Sequence, residues 1–356
     1  MSSPATPASF GIAPRKPRLG FVGLGWIGRS RLRSVVEAGV AEITALHDVE
    51  PSAINDARKL SRDADYYSSL EELLRDDLDG IVISTPNCFH AEQAIAALDE
   101  GIAVFCQKPL GRNACETRKI VEAAQKADRL LGVDLSYRAI PAMRSVSQLV
   151  ESGELGKVFA VDAKFHNGYG PDKAWFRDFS LSGGGCVLDL GSHLLDLALR
   201  PLGFPRVTRV QSSLFAKGAL MAKGARVVED YGVATIETEG EVVINLSCCW
   251  NLSIGHDADI EIAFHGTRGG AKLRNVDGSF YDFVGERFSG THTETLNSPE
   301  DAAWQWGPLA MIEWIKKLSV DGGFDPDAER FVLLAEVMDR IYKISQDSPV
   351  NPETSC

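Results

Sequence analysis

The segment "LGFVGLGWIGRS", Leu19 to Ser30, runs from an apolar strand pattern through a glycine cluster into a helical pattern. Few features restrict a chain more. In Gly23-x-Gly25-x-x-Gly28, the first glycine permits a tight turn and the second lets a pyrophosphate approach the backbone. The third lets the helix pack closely on the sheet. The helix start, with Trp26 and Ile27, then points free N–H groups at the phosphates. Asp48 stands 20 positions beyond Gly28, at the end of the next apolar run. A carboxylate there accepts hydrogen bonds from a ribose 2′-OH and repels a 2′-phosphate. The following "HDVEPSAIND" contains no Arg or Lys. The pattern therefore predicts NAD rather than NADP as cofactor.

Strand and helix patterns alternate from Arg18 to about Arg138. Strands are expected at Leu19–Val22, Ile43–His47, Gly80–Ser84, Ala103–Cys106 and Leu131–Asp134. Continuous apolar runs of this kind suit parallel strands covered on both faces. Helical patterns lie between them, two of them stopping at Gly39 and Gly101. This predicts a doubly wound α/β domain over 18–138, preceded by a Pro- and Ser-rich flexible arm over 1–17. After Ala139 the texture changes. One helix precedes long β-rich runs such as "GVATIETEGEVVINLSCCW", and two helices close the chain. The expectation for 139–356 is an α+β domain with an open, mainly antiparallel sheet that binds substrate and oligomerises.

Composition narrows the partners. A net charge of −12 over 356 residues argues against nucleic acid. No apolar run reaches the ~18 residues of a membrane span, and the N-terminus lacks a signal-peptide core. Seven cysteines without a C-x-x-C argue against a disulfide framework or a metal site. They suggest reduced thiols in a cytoplasmic protein.

Two stretches carry chemistry. In "GIAVFCQKPLG", Lys108 ends a buried-strand pattern, where a doubly wound sheet points at its ligand crevice. In "SGGGCVLDLGSHLLDLAL", Asp189, His193 and Asp196 share one face of an α-helix at i, i+4 and i+7. An acid–imidazole–acid stripe suits proton transfer, and it equally suits a solvated charged face.

The glycine motif, "PNCFHAEQAIAALDEGIAVFCQKPL" and G-G-G-x-x-x-D-x-x-x-H-x-x-D together resemble the Gfo/Idh/MocA oxidoreductases, and most of all their inositol-dehydrogenase-like branch. The resemblance covers nearly the whole chain beyond the arm. It implies a Rossmann domain, a sheet domain, and an NAD-dependent dehydrogenase of a sugar, cyclic polyol or sugar acid. Lys108, Asp189 and His193 match the family's catalytic positions. Ser84, Thr85, Pro86, Asn87 and His90 match its loop around ribose and nicotinamide. Gln107 stands where the family usually has glutamate. The missing negative charge predicts a Lys108 more easily deprotonated than in a glutamate-bearing relative.

Arg138, Trp175 and Arg177 are further candidates for the substrate face. Two arginines there would suit a carboxylate, and hence a sugar acid. Trp304, Trp306 and Trp314 suggest the core of a terminal helix. An uncovered apolar sheet face would favour a homodimer or homotetramer. Two rivals stay open: an epimerase, lyase or glycosidase that recycles its cofactor within each turnover, and a dinucleotide-sensing regulator.

Overall fold

The computed structural model describes residues 15–222, 224–299 and 307–342. Most of the arm at 1–17, together with Trp304 and Trp306, lies outside them. The arm's last residues are tied down: Arg15 pairs with Asp79 at 2.7 Å.

The first sheet has six parallel strands: β1 (Arg18–Val22), β2 (Glu42–His47), β3 (Asp65–Tyr66), β4 (Gly80–Ile83), β5 (Ala103–Cys106) and β6 (Leu131–Val133). Their order is β3-β2-β1-β4-β5-β6. The chain reverses direction across the sheet between β1 and β4, and ligands bind in the crevice beyond that point. The central strands β4 and β5 are buried at every residue, as their continuous apolar runs require. The two-residue edge strand β3, "DY", escaped the sequence reading because it has no apolar run.

The second sheet has nine strands: β7 (Val158–Asn167), β8 (Val207–Ala216), β9 (Ala219–Leu220), β10 (Tyr231–Thr238), β11 (Val243–Cys249), β12 (Ala258–Gly266), β13 (Gly270–Asn275), β14 (Phe283–Ser289) and β15 (His292–Asn297). Their order is β15-β14-β13-β12-β7-β11-β10-β8-β9; among the described residues, β7 and β11 are parallel and the other neighbours antiparallel. Strict alternation along β10 leaves one face buried against helices.

The opposite face is not uniformly apolar. It carries Asp162, Lys164, Thr235, Asn245, Ser247 and Glu261, with Val210 and Val233 among them, around a shallow depression of about 880 Å³.

The division at 138 is also not a division of cores. The helix Leu309–Leu318 returns to the first sheet, where Trp314 lies 5.5 Å from the Phe105 ring. A Cβ on Gly80 or Gly132 would meet the Trp314 ring at 2.7 and 2.6 Å, so these strand glycines seat it. The final helix, Glu329–Tyr342, buries Phe331, Leu334, Met338 and Ile341 along one face. Cysteine usage needs a correction too. Cys88, Cys106, Cys186, Cys248 and Cys249 are free, but Cys115 is in a disulfide. An odd cysteine count rules out a complete framework, not a single bridge.

Candidate active site

One cleft of about 790 Å³ runs from the glycine turn of the first sheet to the helix-covered side of the second. Its nucleotide half is made largely of backbone. Gly23 sits at φ +83°, and a Cβ there would meet the Ser84 carbonyl carbon at 2.5 Å. A Cβ on Gly28 would come within 2.0 Å of the Gly23 oxygen. Gly25, by contrast, faces open space, and it starts the helix Trp26–Ala38 with no side-chain cap. The helix start thus presents its first turn to an anion in the cleft. Asp48 closes this half. Its carboxylate accepts from Leu24 N at 2.5 Å and Glu50 N at 2.8 Å while lining the cleft. These features fit a dinucleotide: a backbone cradle for the pyrophosphate and an acid for the ribose.

Trp26, Ile27, Ser84, Thr85, Pro86, Asn87, His90, Gln107 and Lys108 all line the same cleft; Gly28 works from behind, through packing. Some of them are tied to other parts of the chain. The His90 ring nitrogens lie 2.8 Å from the carbonyls of Thr85 and Pro109, tying the loop after β4 to the loop that carries Lys108. Asn87 donates to Ser182 O at 2.8 Å, across to the second domain.

The reacting half is made of side chains from distant segments. The Lys108 ammonium donates to the Asp189 carbonyl at 2.7 Å and also to its carboxylate. Trp250 Nε1 donates to the other Asp189 oxygen at 3.1 Å. His193 lines the cleft beside them, with Tyr137 edge-on to its ring at 4.8 Å. Burial, then the nearby positive charges of Lys108, Arg138 and Arg31, holds the imidazole well below its ordinary pKa. The ring is therefore neutral near neutral pH and able to accept a proton.

The carboxylate–imidazole stripe is only half realised. Val187–Gly191 form a π-helical turn before the α-helix Ser192–Leu199, so the spacing is not that of a straight α-helix. Asp189 and His193 reach the cleft, but Asp196 does not. Its side chain is 2% exposed and pairs with Arg138 at 3.6 Å and Arg200 at 3.5 Å.

Glu229, which the sequence reading missed, holds this turn in place. It is fully buried and accepts from Gly185 N at 2.9 Å, Val187 N at 2.9 Å and Tyr342 OH at 2.6 Å. Burial pushes its carboxyl up to about 7. A Cβ on Gly185 would meet the Glu229 carbonyl oxygen at 1.9 Å, which explains one of the three glycines.

Three other sequence readings change. Gln107 does not face the Lys108 ammonium. Its amide donates to Asp134, which is ion-paired with Arg31 at 2.6 Å in full burial. The charge beside Lys108 comes from Asp189 instead. Arg138 lies behind the site, over the Phe331 ring at 5.6 Å, in a separate depression with Arg200 and Asp327. Arg177 is exposed and is not part of the cleft wall, whereas Trp175 is. Trp250, Tyr137 and Asp134, unnoticed in the sequence, are in the wall. Nothing in their local spacing marks them, because only the tertiary fold brings them there.

Residues 17–135 match the model of the oxidoreductase family with an NAD-binding Rossmann fold, and residues 143–272 match the GFO/IDH/MocA C-terminal domain. The chain belongs to the GFO/IDH/MocA oxidoreductase family. Its first domain is the family's NAD-binding domain. Among its relatives is the D-glucoside 3-dehydrogenase of Escherichia coli K12, 30% identical over 205 residues, 55% of this chain and 58% of the relative. An inositol 2-dehydrogenase of Salmonella paratyphi B is 30% identical over 155 residues, 42% of this chain and 46% of that one. The chain thus aligns with about half the length of these curated relatives. GenD2 from gentamicin A biosynthesis, solved in complex with NAD, shares the fold. It superposes with a TM-score of 0.76 at 21% identity, over 97% of this chain and 98% of GenD2.

Among the described residues, no helix is long and apolar enough to cross a membrane. No group of three or more His, Cys, Asp or Glu is arranged to hold a metal there either.

Proposed function

We propose that the chain is an NAD-dependent dehydrogenase of neutral sugars, cyclic polyols or their glycosides, acting on a secondary hydroxyl. The carrying observation is that Lys108, Asp189 and His193 meet in the cleft that also holds the glycine cradle. Asp48 supports NAD over NADP, since its carboxylate accepts from a ribose 2′-OH and repels a 2′-phosphate.

Bound NAD supplies the acceptor for the hydride that leaves the carbinol carbon. His193 takes the hydroxyl proton as general base, a role its neutrality allows. Lys108 donates a hydrogen bond to the same oxygen as negative charge builds on it. Asp189 aims the ammonium, and Trp250 fixes the Asp189 carboxylate. Tyr137, packed between His193 and the rings of Phe165 and Phe283, keeps the imidazole in place.

The charges of the wall argue for neutral substrates over sugar acids. Its three permanent cations each have a carboxylate: Arg31 with Asp134, Lys108 with Asp189, and Lys173 with Asp172. None is left over for a substrate carboxylate.

The test is NADH absorbance with a panel of neutral sugars, inositols, methyl glycosides and sugar acids. Stoichiometric NADH from a neutral member is expected. Turnover of substrate without NADH release would point instead to internal cofactor recycling. NAD binding with no conversion of any panel member would point to a sensor.

A further inference from the structure

Beyond the reacting groups, the cleft continues into an aromatic mouth that the oxidation of a monosaccharide does not require. Trp250 leads outward from Asp189. Its ring lies 6.2 Å from Phe176, edge to face, and Phe176 stacks on Trp175 at 3.8 Å. Across the same cleft, Tyr169 packs on Phe280 at 5.9 Å, and Tyr281 lies next in the chain. Exposure rises along this path. Trp250 is 3% exposed, Trp175 and Phe176 are half-buried, and Tyr169 and Tyr281 are each 52% exposed.

These rings come from the segment after β7, from the end of β11 and from the turn between β13 and β14. None belongs to the nucleotide-binding domain. Large aromatic rings gathered at a cleft mouth and left half in water mark a surface that a ligand covers. Of the polar side chains between them, Asp172 and Lys173 are paired with each other at 3.1 Å, while Asn167 Oδ1 is a buried acceptor without a partner. The mouth therefore offers broad apolar faces with few polar groups beyond Asn167 and the rings' own hydroxyls. That suits an aromatic ring better than a second sugar, whose hydroxyls would need partners.

We propose that this mouth is an aglycone subsite, and that the preferred substrates are glycosides bearing an aromatic aglycone. The sugar sits at Lys108, Asp189 and His193, and the aglycone lies between Trp175 and the Tyr169–Tyr281 rim. The proposal rests on the dehydrogenase reading for the sugar's position, but its test does not depend on turnover.

Dissociation constants are measured by calorimetry on the NADH-loaded protein for methyl glucoside, phenyl glucoside and a glucosyl disaccharide, each anomer in turn. Phenyl glucoside is expected to bind about tenfold tighter than methyl glucoside, the scale of a good aromatic contact, and the disaccharide no tighter than methyl glucoside. Tyr169→Ala and Tyr281→Ala, both at exposed positions that folding tolerates, should each bring the phenyl-to-methyl ratio towards one. Equal affinities, a disaccharide that outbinds the phenyl glycoside, or no glycoside binding at all would overturn the subsite. NADH formation is read in parallel. Tight phenyl binding without NADH would refute the dehydrogenase reading and leave the subsite standing.

Discussion

The two halves of the cleft are made of different material. The nucleotide half is backbone: a left-handed glycine at 23, an open one at 25 and a packing one at 28, all within six residues. The reacting half is side chains, with Lys108, Asp189, His193 and Trp250 converging from three segments. A backbone site tolerates many side chains but few changes of geometry. A side-chain site depends on whatever holds each group in place: Glu229 on the π-helical turn, His90 on the Lys108 loop, Tyr137 against His193. Substitutions in the two halves should accordingly fail in different ways, one through cofactor affinity and the other through rate.

The largest effect is expected at His193. His193→Ala should lower kcat by about 10²- to 10⁴-fold, the usual contribution of a general base, with NAD affinity unchanged. In the unaltered protein, the proton is refused until pH falls well below the ordinary histidine value. The acid limb of the kcat/KM profile should therefore lie below about 6.5. A limb at or above that value, or weaker NAD binding in the variant, would blur the distinction between the halves.

Asp48→Ser should act the other way round. It removes the ribose acceptor and the negative charge, so NAD binding should weaken by roughly tenfold, about the worth of a charge-assisted hydrogen bond. NADP should bind better than before, and the rate at saturating cofactor should hold. Fluorescence titration with both cofactors measures this.

The smallest effect on activity is expected at the two arginines outside the cleft. Arg177→Ala should change kcat/KM by less than about twofold, as exposed charges usually do. Arg138→Ala should leave KM alone yet destabilise the fold by about 1 kcal/mol, because buried Asp196 loses one cationic partner and keeps Arg200. Thermal denaturation alongside kinetics separates the two outcomes.

The same contrast explains what could be read from the chain. The glycine cradle, Asp48 and five of the six parallel strands follow from local spacing, since each signal and its consequence lie within one βα unit. The edge strand β3 was too short to leave a pattern. In the reacting half, Lys108 and His193 were reached through the resemblance and strand-end logic. Their supports were not, because Glu229 and Trp250 are ordinary residues until the fold carries them to Gly185 and Asp189. The errors share one cause. Placing Gln107 beside Lys108, Asp196 beside His193, or Arg138 in the cleft assumes that sequence neighbours are spatial neighbours. Buried partners break that assumption: Asp134 draws Gln107 away from Lys108, and Asp196 pairs with Arg138 and Arg200 behind the site.

The central claim is that Lys108 and Asp189, 81 positions apart, act as one unit on the substrate oxygen. A double-mutant cycle in kcat tests it most directly, comparing Lys108→Met, Asp189→Asn and the pair at saturating NAD on a substrate that the unaltered protein oxidises. The account predicts strong non-additivity, with the pair losing no more than the worse single variant. A double loss equal to the product of the two single losses would show independent groups and contradict it.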